Sequence, residues 1–173
     1  KTAVNIELGI PSGTVFNDRY RVISFDRETP VYASYSAIDL QSGRGVKLKI
    51  CYENAISHRR EDYIRFQNCV KSLREIEHHG IERVFDAEHL ASSGASARHL
   101  GVIAEPELGG TLHDFTLDGH SMSTPLLLSI AGFIAESLVV LHSRGLLHGS
   151  LTSKSIMVDQ EQGEMRIKTA DIC

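Results

Sequence analysis

From Tyr20 onward, apolar and polar positions fall into short runs separated by turn residues. Tyr20-Arg21-Val22-Ile23-Ser24-Phe25 and Val31-Tyr32-Ala33-Ser34-Tyr35-Ser36-Ala37-Ile38 are rich in β-branched and aromatic residues, and each predicts a strand. Asp39 to Gly45 is polar with glycine at 43 and 45, which predicts a turn. Val46-Lys47-Leu48-Lys49-Ile50 alternates apolar and basic residues, the pattern of a half-buried strand. Side chains alternate across a strand, so Lys47 and Lys49 share one face. Together these runs predict an antiparallel meander. Residues 1–18 read as a linker or an added strand.

The period then changes. Phe66, Cys69, Val70 and Leu73 recur at spacings of three and four and predict a helix over roughly Arg59 to Ile76. Ile81 to Asp86 and Leu100 to Ala104 predict strands, with a Ser/Gly loop at 92–96 between them. Past Pro106, Gly109-Gly110 marks a break and Thr111 to Asp114 opens a short helix. Ser123 or Thr124 caps a long apolar helix that ends near Ser143, with Gly145 beyond it. Ile156 to Val158 and Met165 to Thr169 predict a closing hairpin around Gly163.

Composition narrows the function classes. A net charge of −4 gives no reason to expect nucleic acid or an anionic membrane as partner. The apolar run Leu126 to Leu141 is interrupted by Glu136 and Ser137 and reads as a buried helix, not a bilayer span. Cys51, Cys69 and Cys173 form neither a CxxC nor a disulfide framework, which favours a reducing, cytoplasmic setting. Cys69, on the apolar stripe, reads as a small buried hydrophobe. No histidine pattern predicts a metal site. His78-His79 reads as a solvated turn. With no initiator Met and no signal peptide, the chain reads as a piece of a longer protein.

One segment carries chemical information. His148-Gly149-Ser150-Leu151-Thr152-Ser153-Lys154-Ser155 resembles the protein kinase catalytic loop H-R-D-L-x-x-x-N, with Ser150 in place of the Asp and Ser155 in place of the Asn. Val46-Lys47-Leu48-Lys49 resembles V-A-I-K, with Lys49 as the phosphate-gripping lysine. Lys168-Thr169-Ala170-Asp171-Ile172-Cys173 resembles the approach to D-F-G, with Asp171 at the magnesium position. The resemblance covers roughly Tyr20 to Cys173. It implies an α+β, protein kinase-like fold, with an antiparallel-sheet small lobe carrying one main helix (19–104) and a hinge with a partial, mainly helical large lobe (105–173).

The departures from the family pattern imply lost chemistry. With Val31 at the last position of G-x-G-x-x-G-x-V, Ser24, Asp26 and Thr29 occupy the glycine positions. Lys47 replaces the small residue over the adenine. Counting back from His78–Ile81 puts Cys69 where the helix glutamate belongs, which leaves Lys49 without its partner. Serine at 150 is no base near neutral pH, and Ser155 is a poor magnesium ligand. Ile172 and Cys173 replace the Phe and Gly of D-F-G. His148 reads as an architectural residue, and Lys49 and Asp171 as residual nucleotide contacts or plain surface residues.

The resemblance therefore implies a pseudokinase: no catalytic residues, no metal, no required cofactor, and a protein-binding, scaffolding or allosteric role in a larger signalling protein. The alternative is a nucleotide sensor that binds ATP weakly without turnover. The helix at 126–141 is apolar nearly all round and requires a cover. Candidates are absent helices of the same fold, another chain or an adjacent domain, or residues 1–18 with the strand near 81–88.

Overall fold

A computed structural model of the chain describes residues 9–52, 60–92, 98–106, 109–117, 122–161 and 164–172. The loop at 93–97, Gly163 and Cys173 lie outside them. The elements run β1 (Val15–Phe16), β2 (Tyr20–Glu28), β3 (Tyr32–Asp39), β4 (Arg44–Cys51), α1 (Arg60–Arg74), β5 (Val84–Ala91), β6 (Arg98–Ala104), β7 (Gly110–Thr111), α2 (Leu112–Leu117), α3 (Thr124–Ser143), β8 (Ile156–Glu161) and β9 (Glu164–Thr169). They form two compact units. The first comprises 1–63 and 87–106, the second 64–86 and 107–173. The segment 64–86, expected in the small lobe, groups with the second unit.

The first unit is built on a six-stranded sheet in the order β1-β2-β3-β4-β6-β5. The predicted meander is β2-β3-β4, antiparallel throughout. Val22, Tyr35, Val46, Leu48, Ile50, Leu90 and Ile103 form one apolar core on its upper face. Close packing there explains Gly101, where a Cβ would lie 2.3 Å from Cδ1 of the fully buried Leu90. Register shifts after Val22 and Phe25 break the alternation of β2, which leaves Ile23 and Phe25 exposed. The added-strand reading of residues 1–18 holds at Val15–Phe16. Asn17 and Asp18 take left-handed φ of 51° and 53° to turn β1 into β2. Asn17 then bonds Glu88, His89 and Ala91, pinning this turn to β5.

The β3–β4 turn is anchored by a buried carboxylate. Arg19 Nε and Nη2 each donate to Asp39 at 3.0 Å. Gln41 N and Ser42 Oγ supply two further donors. These donors, with Arg19 foremost, hold the Asp39 carboxyl well below the usual range.

In the second unit α3 begins where predicted, with Ser123 Oγ accepting from Leu126 N and Pro125 in the first turn. Ile130, Ile156, Val158 and Ile167 make its core with β8 and β9. The expectation of a buried helix is corrected. Only Ile130, Ser137 and Leu141 of α3 are buried, and Leu128 and Val139 are 69% and 68% exposed. By length and composition alone α3 is long and apolar enough to cross a membrane. The strand expected at Ile81–Asp86 starts later, at Val84, because the backbone at Gly80–Glu82 is bonded elsewhere. Gly80 O accepts from Thr169 N at 2.8 Å, Thr169 Oγ1 at 3.0 Å and Ser137 Oγ at 2.8 Å, and Glu82 N donates to Thr169 O at 2.9 Å.

Candidate functional site

The first unit holds the lysine pair. In the β3–β4 register Ser34 lies opposite Lys49, Ser36 opposite Lys47 and Tyr32 opposite Cys51, so these side chains share the sheet's lower face. The half-buried expectation for β4 is corrected. The strand lies between β3 and β6 and is covered on both faces, leaving Lys47 1% and Lys49 5% exposed. Lys49 is thus no surface residue on a strand end. Its Nζ lies 5.5 Å from the centre of the Tyr32 ring, a cation–π approach. Asp26 joins the face by accepting from Ser36 Oγ at 2.7 Å. The Ser34 hydroxyl and the second Asp26 oxygen are buried with no hydrogen-bond partner among the described residues.

Val31 does not fill the strand position assigned to it. It sits in the β2–β3 turn, 48% exposed, and β3 begins one residue later. The residue facing Lys49 is Ser34, so counting back from Val31 does not index the loop. Ser24 lies in β2 opposite Ser36, in the register where Asp26 bonds the same serine. Thr29 is the turn itself. Thr29 N donates to Tyr32 O at 2.9 Å, and Thr29 Oγ1 accepts from Tyr32 N at 3.1 Å and Val31 N at 3.3 Å. A phosphate-cradling loop offers unbonded amides that close on the anion. Here the amides of Val31 and Tyr32 already have an acceptor. Glycine is not needed because neither residue takes a left-handed φ.

The second unit holds the loop of residues 148–155. His148 is 4% exposed. Gly149 takes φ 76°, which turns the chain into Ser150. Ser150 Oγ donates to Asp171 O at 3.2 Å. Ser155 Oγ accepts from Thr152 N at 2.9 Å and shares its proton between Thr152 O at 2.9 Å and Ser150 O at 3.2 Å. Ala170 N donates to Ser155 O at 2.8 Å, and Asp171 follows with a left-handed φ of 62°. The structure therefore brings Ser150, Ser155 and Asp171 together. The Ser155 hydroxyl serves the loop's own backbone, and the Ser150 hydroxyl that of Asp171.

Helix α1 has carboxylates only in its first turn, Glu61 and Asp62. None stands at position 69. Cys69 is not the plain thiol expected from the apolar stripe: it is half-buried and disulfide-bonded, whereas Cys51 is a free cysteine. His78 is likewise more than a solvated turn residue. Its Nδ1 accepts from Gly80 N at 3.1 Å, and burial with the neighbouring His79 lowers its pKa below 6.5. Among the described residues no group of three or more His, Cys, Asp or Glu is placed to hold a metal ion.

A sheet-based unit with a lysine-bearing central strand, followed by a helical unit with this loop and hairpin, is the architecture of a protein kinase domain. A family model described as protein tyrosine and serine/threonine kinase matches residues 29–173. The chain belongs to that family. The kinase domain of Mycobacterium tuberculosis PknI superposes with a TM-score of 0.79 at 22% identity, covering 94% of this chain and 62% of that one. A double mutant of the same domain gives 0.82 at 21% identity, over 95% and 62%. Rattus norvegicus dual specificity testis-specific protein kinase 1 is 38% identical over 64 residues, 37% of this chain and 10% of its own length. Homo sapiens serine/threonine-protein kinase ULK1 is 26% identical over 108 residues, 59% and 10%. The chain thus spans under two-thirds of the solved kinase domains and a tenth of the curated relatives it matches.

Sequence reasoning missed the junction at Gly80. Its only signal was a glycine directly after two histidines. A Cβ there would lie 2.5 Å from Ser137 Oγ. It also missed the Arg19–Asp39 pair, although Asp39 two and three residues before Gln41 and Ser42 is a turn signature.

Proposed function

We propose that this kinase-family chain is catalytically inactive, a pseudokinase domain that acts by binding other proteins as a scaffolding or allosteric regulatory module of a larger cytoplasmic signalling protein. The observation that carries this reading is the use made of Ser150 and Ser155. Both occupy positions where the family's chemistry needs a base and a metal ligand, and both hydroxyls are bonded to backbone, Ser150 to the carbonyl of Asp171 and Ser155 to the loop itself. The bonded turn amides at Val31 and Tyr32 and the buried Lys47 support it from the other unit. The exposed α3 residues Leu127, Leu128 and Val139 offer an apolar surface to a partner protein or adjacent domain.

The test uses the full-length protein. Radiolabelled phosphate transfer is expected to equal that of a Lys49→Ala control, and Ser150→Asp with Ser155→Asn is expected to restore none. Transfer above the control would overturn the reading. Removing residues 1–173 is expected to change the protein's assembly in pull-down and size-exclusion. Unchanged assembly would remove the regulatory role.

A second reading, a nucleotide sensor, is favoured by Lys49 and Asp171. Calorimetry with ATP, with and without Mg²⁺, separates the two: binding abolished by Lys49→Ala supports the sensor.

A further inference from the structure

A cavity of about 300 Å³ opens on the upper face of the first unit's sheet, the face away from Lys47 and Lys49. Three aromatic rings line it, from Phe25, Tyr35 and Tyr52, together with Glu28 and the apolar Ile10 and Ala33. No lysine, arginine or histidine is among the lining residues. We propose that this cavity binds a small organic cation whose head is a methylated ammonium, such as choline.

The site exists because β2 is irregular. Strict alternation would put Phe25 and Glu28, three positions apart, on opposite faces. In the fold Phe25 pairs with Tyr35 and Glu28 with Ala33, which lie two positions apart on β3 and share a face. The register shift between Phe25 and Arg27 makes this possible. Such an irregularity re-aims a side chain, and here it brings the Glu28 carboxylate to the aromatic side.

The parts are held in place. Phe25 and Tyr35 meet edge to face, with ring centroids 5.6 Å apart and planes at 73°, and so form a corner. Tyr52 is anchored twice: its N donates to Val31 O at 3.0 Å, and its Oη donates to Glu28 Oε1. Burial first, and then the Glu28 bond, raises the pKa of Tyr52, so the phenol remains a donor. Tyr35 is 2% exposed and forms the floor, whereas Phe25 is 57% exposed and forms an open wall.

This chemistry selects the ligand. Aromatic rings attract a cation, and the carboxylate adds a full negative charge. A primary ammonium brings three N–H donors, and the cavity offers them one carboxylate that already accepts from Tyr52. A quaternary ammonium has no N–H to satisfy, and its methyl groups pack against rings. The volume suits a small molecule rather than a length of peptide. The inference does not depend on whether the chain transfers phosphate.

Calorimetry of the full-length protein with choline tests it, beside dimethylbutanol, in which carbon replaces the charged nitrogen. Choline is expected to bind with Kd on the order of 1 mM, and dimethylbutanol about tenfold more weakly or less. Glu28→Gln and Phe25→Leu are each expected to weaken choline binding about tenfold. Both side chains are exposed, so both variants are expected to keep the melting temperature of the unmodified protein. Should either fail to fold, the comparison of choline with dimethylbutanol on the unmodified protein decides. Equal binding of the two ligands, or undiminished choline binding in either folded variant, would overturn the proposal. So would capture of phosphatidylcholine vesicles or of a trimethyllysine peptide with no binding of free choline.

Discussion

The turn at Thr29–Tyr32 and the loop at His148–Ser155 solve the same local problem in the same way. Each stands where the family pattern supplies phosphate or metal chemistry. In each a hydroxyl closes a four-residue segment by accepting one of its backbone amides and donating to one of its carbonyls: Thr29 Oγ1 with Tyr32, Ser155 Oγ with Thr152. They differ in what lies behind them. The turn is a hairpin tip with Val31 exposed, and water can replace what it loses. The loop is exposed over residues 149–154 but buried at both ends, with His148 4% and Ser155 3% exposed, and Ser155 connects through Ala170 and Thr169 to the junction at Gly80. Hydroxyl caps can therefore close either kind of segment, but the one whose hydroxyl is buried and tied to the junction contributes more to the unit's stability.

The comparison is broken most severely from behind the loop. Gly80→Ala places a Cβ against Ser137 Oγ, which is itself fixed by bonds to Gly80 O and Phe133 O. It is expected to cost about 2 kcal/mol and roughly 4–8 °C in Tm. An unchanged Tm would mean that the junction yields and the loop is no better anchored than the turn.

Ser155→Ala comes next. It leaves the Thr152 amide without the acceptor supplied by the buried Ser155 and is expected to cost about 1–2 kcal/mol in chemical denaturation. Thr29→Ala removes the matching hydroxyl from the exposed tip, where about 0.5 kcal/mol or less is expected, because water takes its place. Equal costs at the two sites would erase the distinction drawn here.

The smallest effect is a pH dependence at the junction. The pKa of His78 is lowered in the fold, first by burial and then by His79, with Glu136 opposing. The unfolded chain binds more protons below the ordinary value of 6.5. Stability is therefore present above that value and is lost as pH falls through the depressed one. Protonation of Nδ1 also removes the acceptor for Gly80 N. The slope of Tm against pH between 6.5 and 5 is expected to flatten in His78→Asn, which keeps an acceptor but does not titrate. An unchanged slope would place the titrating group elsewhere.

Much of this was legible in the chain. The β2-β3-β4 meander, the start of α3 at Ser123 and the β8-β9 hairpin followed from periodicity and capping, which act over a few residues. The substituted positions Ser150 and Ser155 were legible for the same reason, because the loop is contiguous. Val31 was misplaced because a turn held by a threonine hydroxyl looks, in sequence, like the first residue of a strand. β4 was read as half-buried because alternating lysines mark one polar face. In the fold that face is buried too, with Lys47 1% and Lys49 5% exposed.

The sequence by itself determined which groups the chain has to work with: no base at position 150, no carboxylate at position 69, no glycine between Ile23 and Val31, and three cysteines. Those are matters of covalent identity, and folding does not alter them. Tertiary structure decided what the substitutes do. It gave the Ser155 hydroxyl to a backbone amide, buried Lys47 and Lys49 inside the sheet unit, engaged Cys69 in a disulfide, and bound Gly80 to Thr169, 89 residues away. Such pairings join positions far apart in the chain, so no local pattern encodes them. They are fixed only when burial forces each polar group to find a partner.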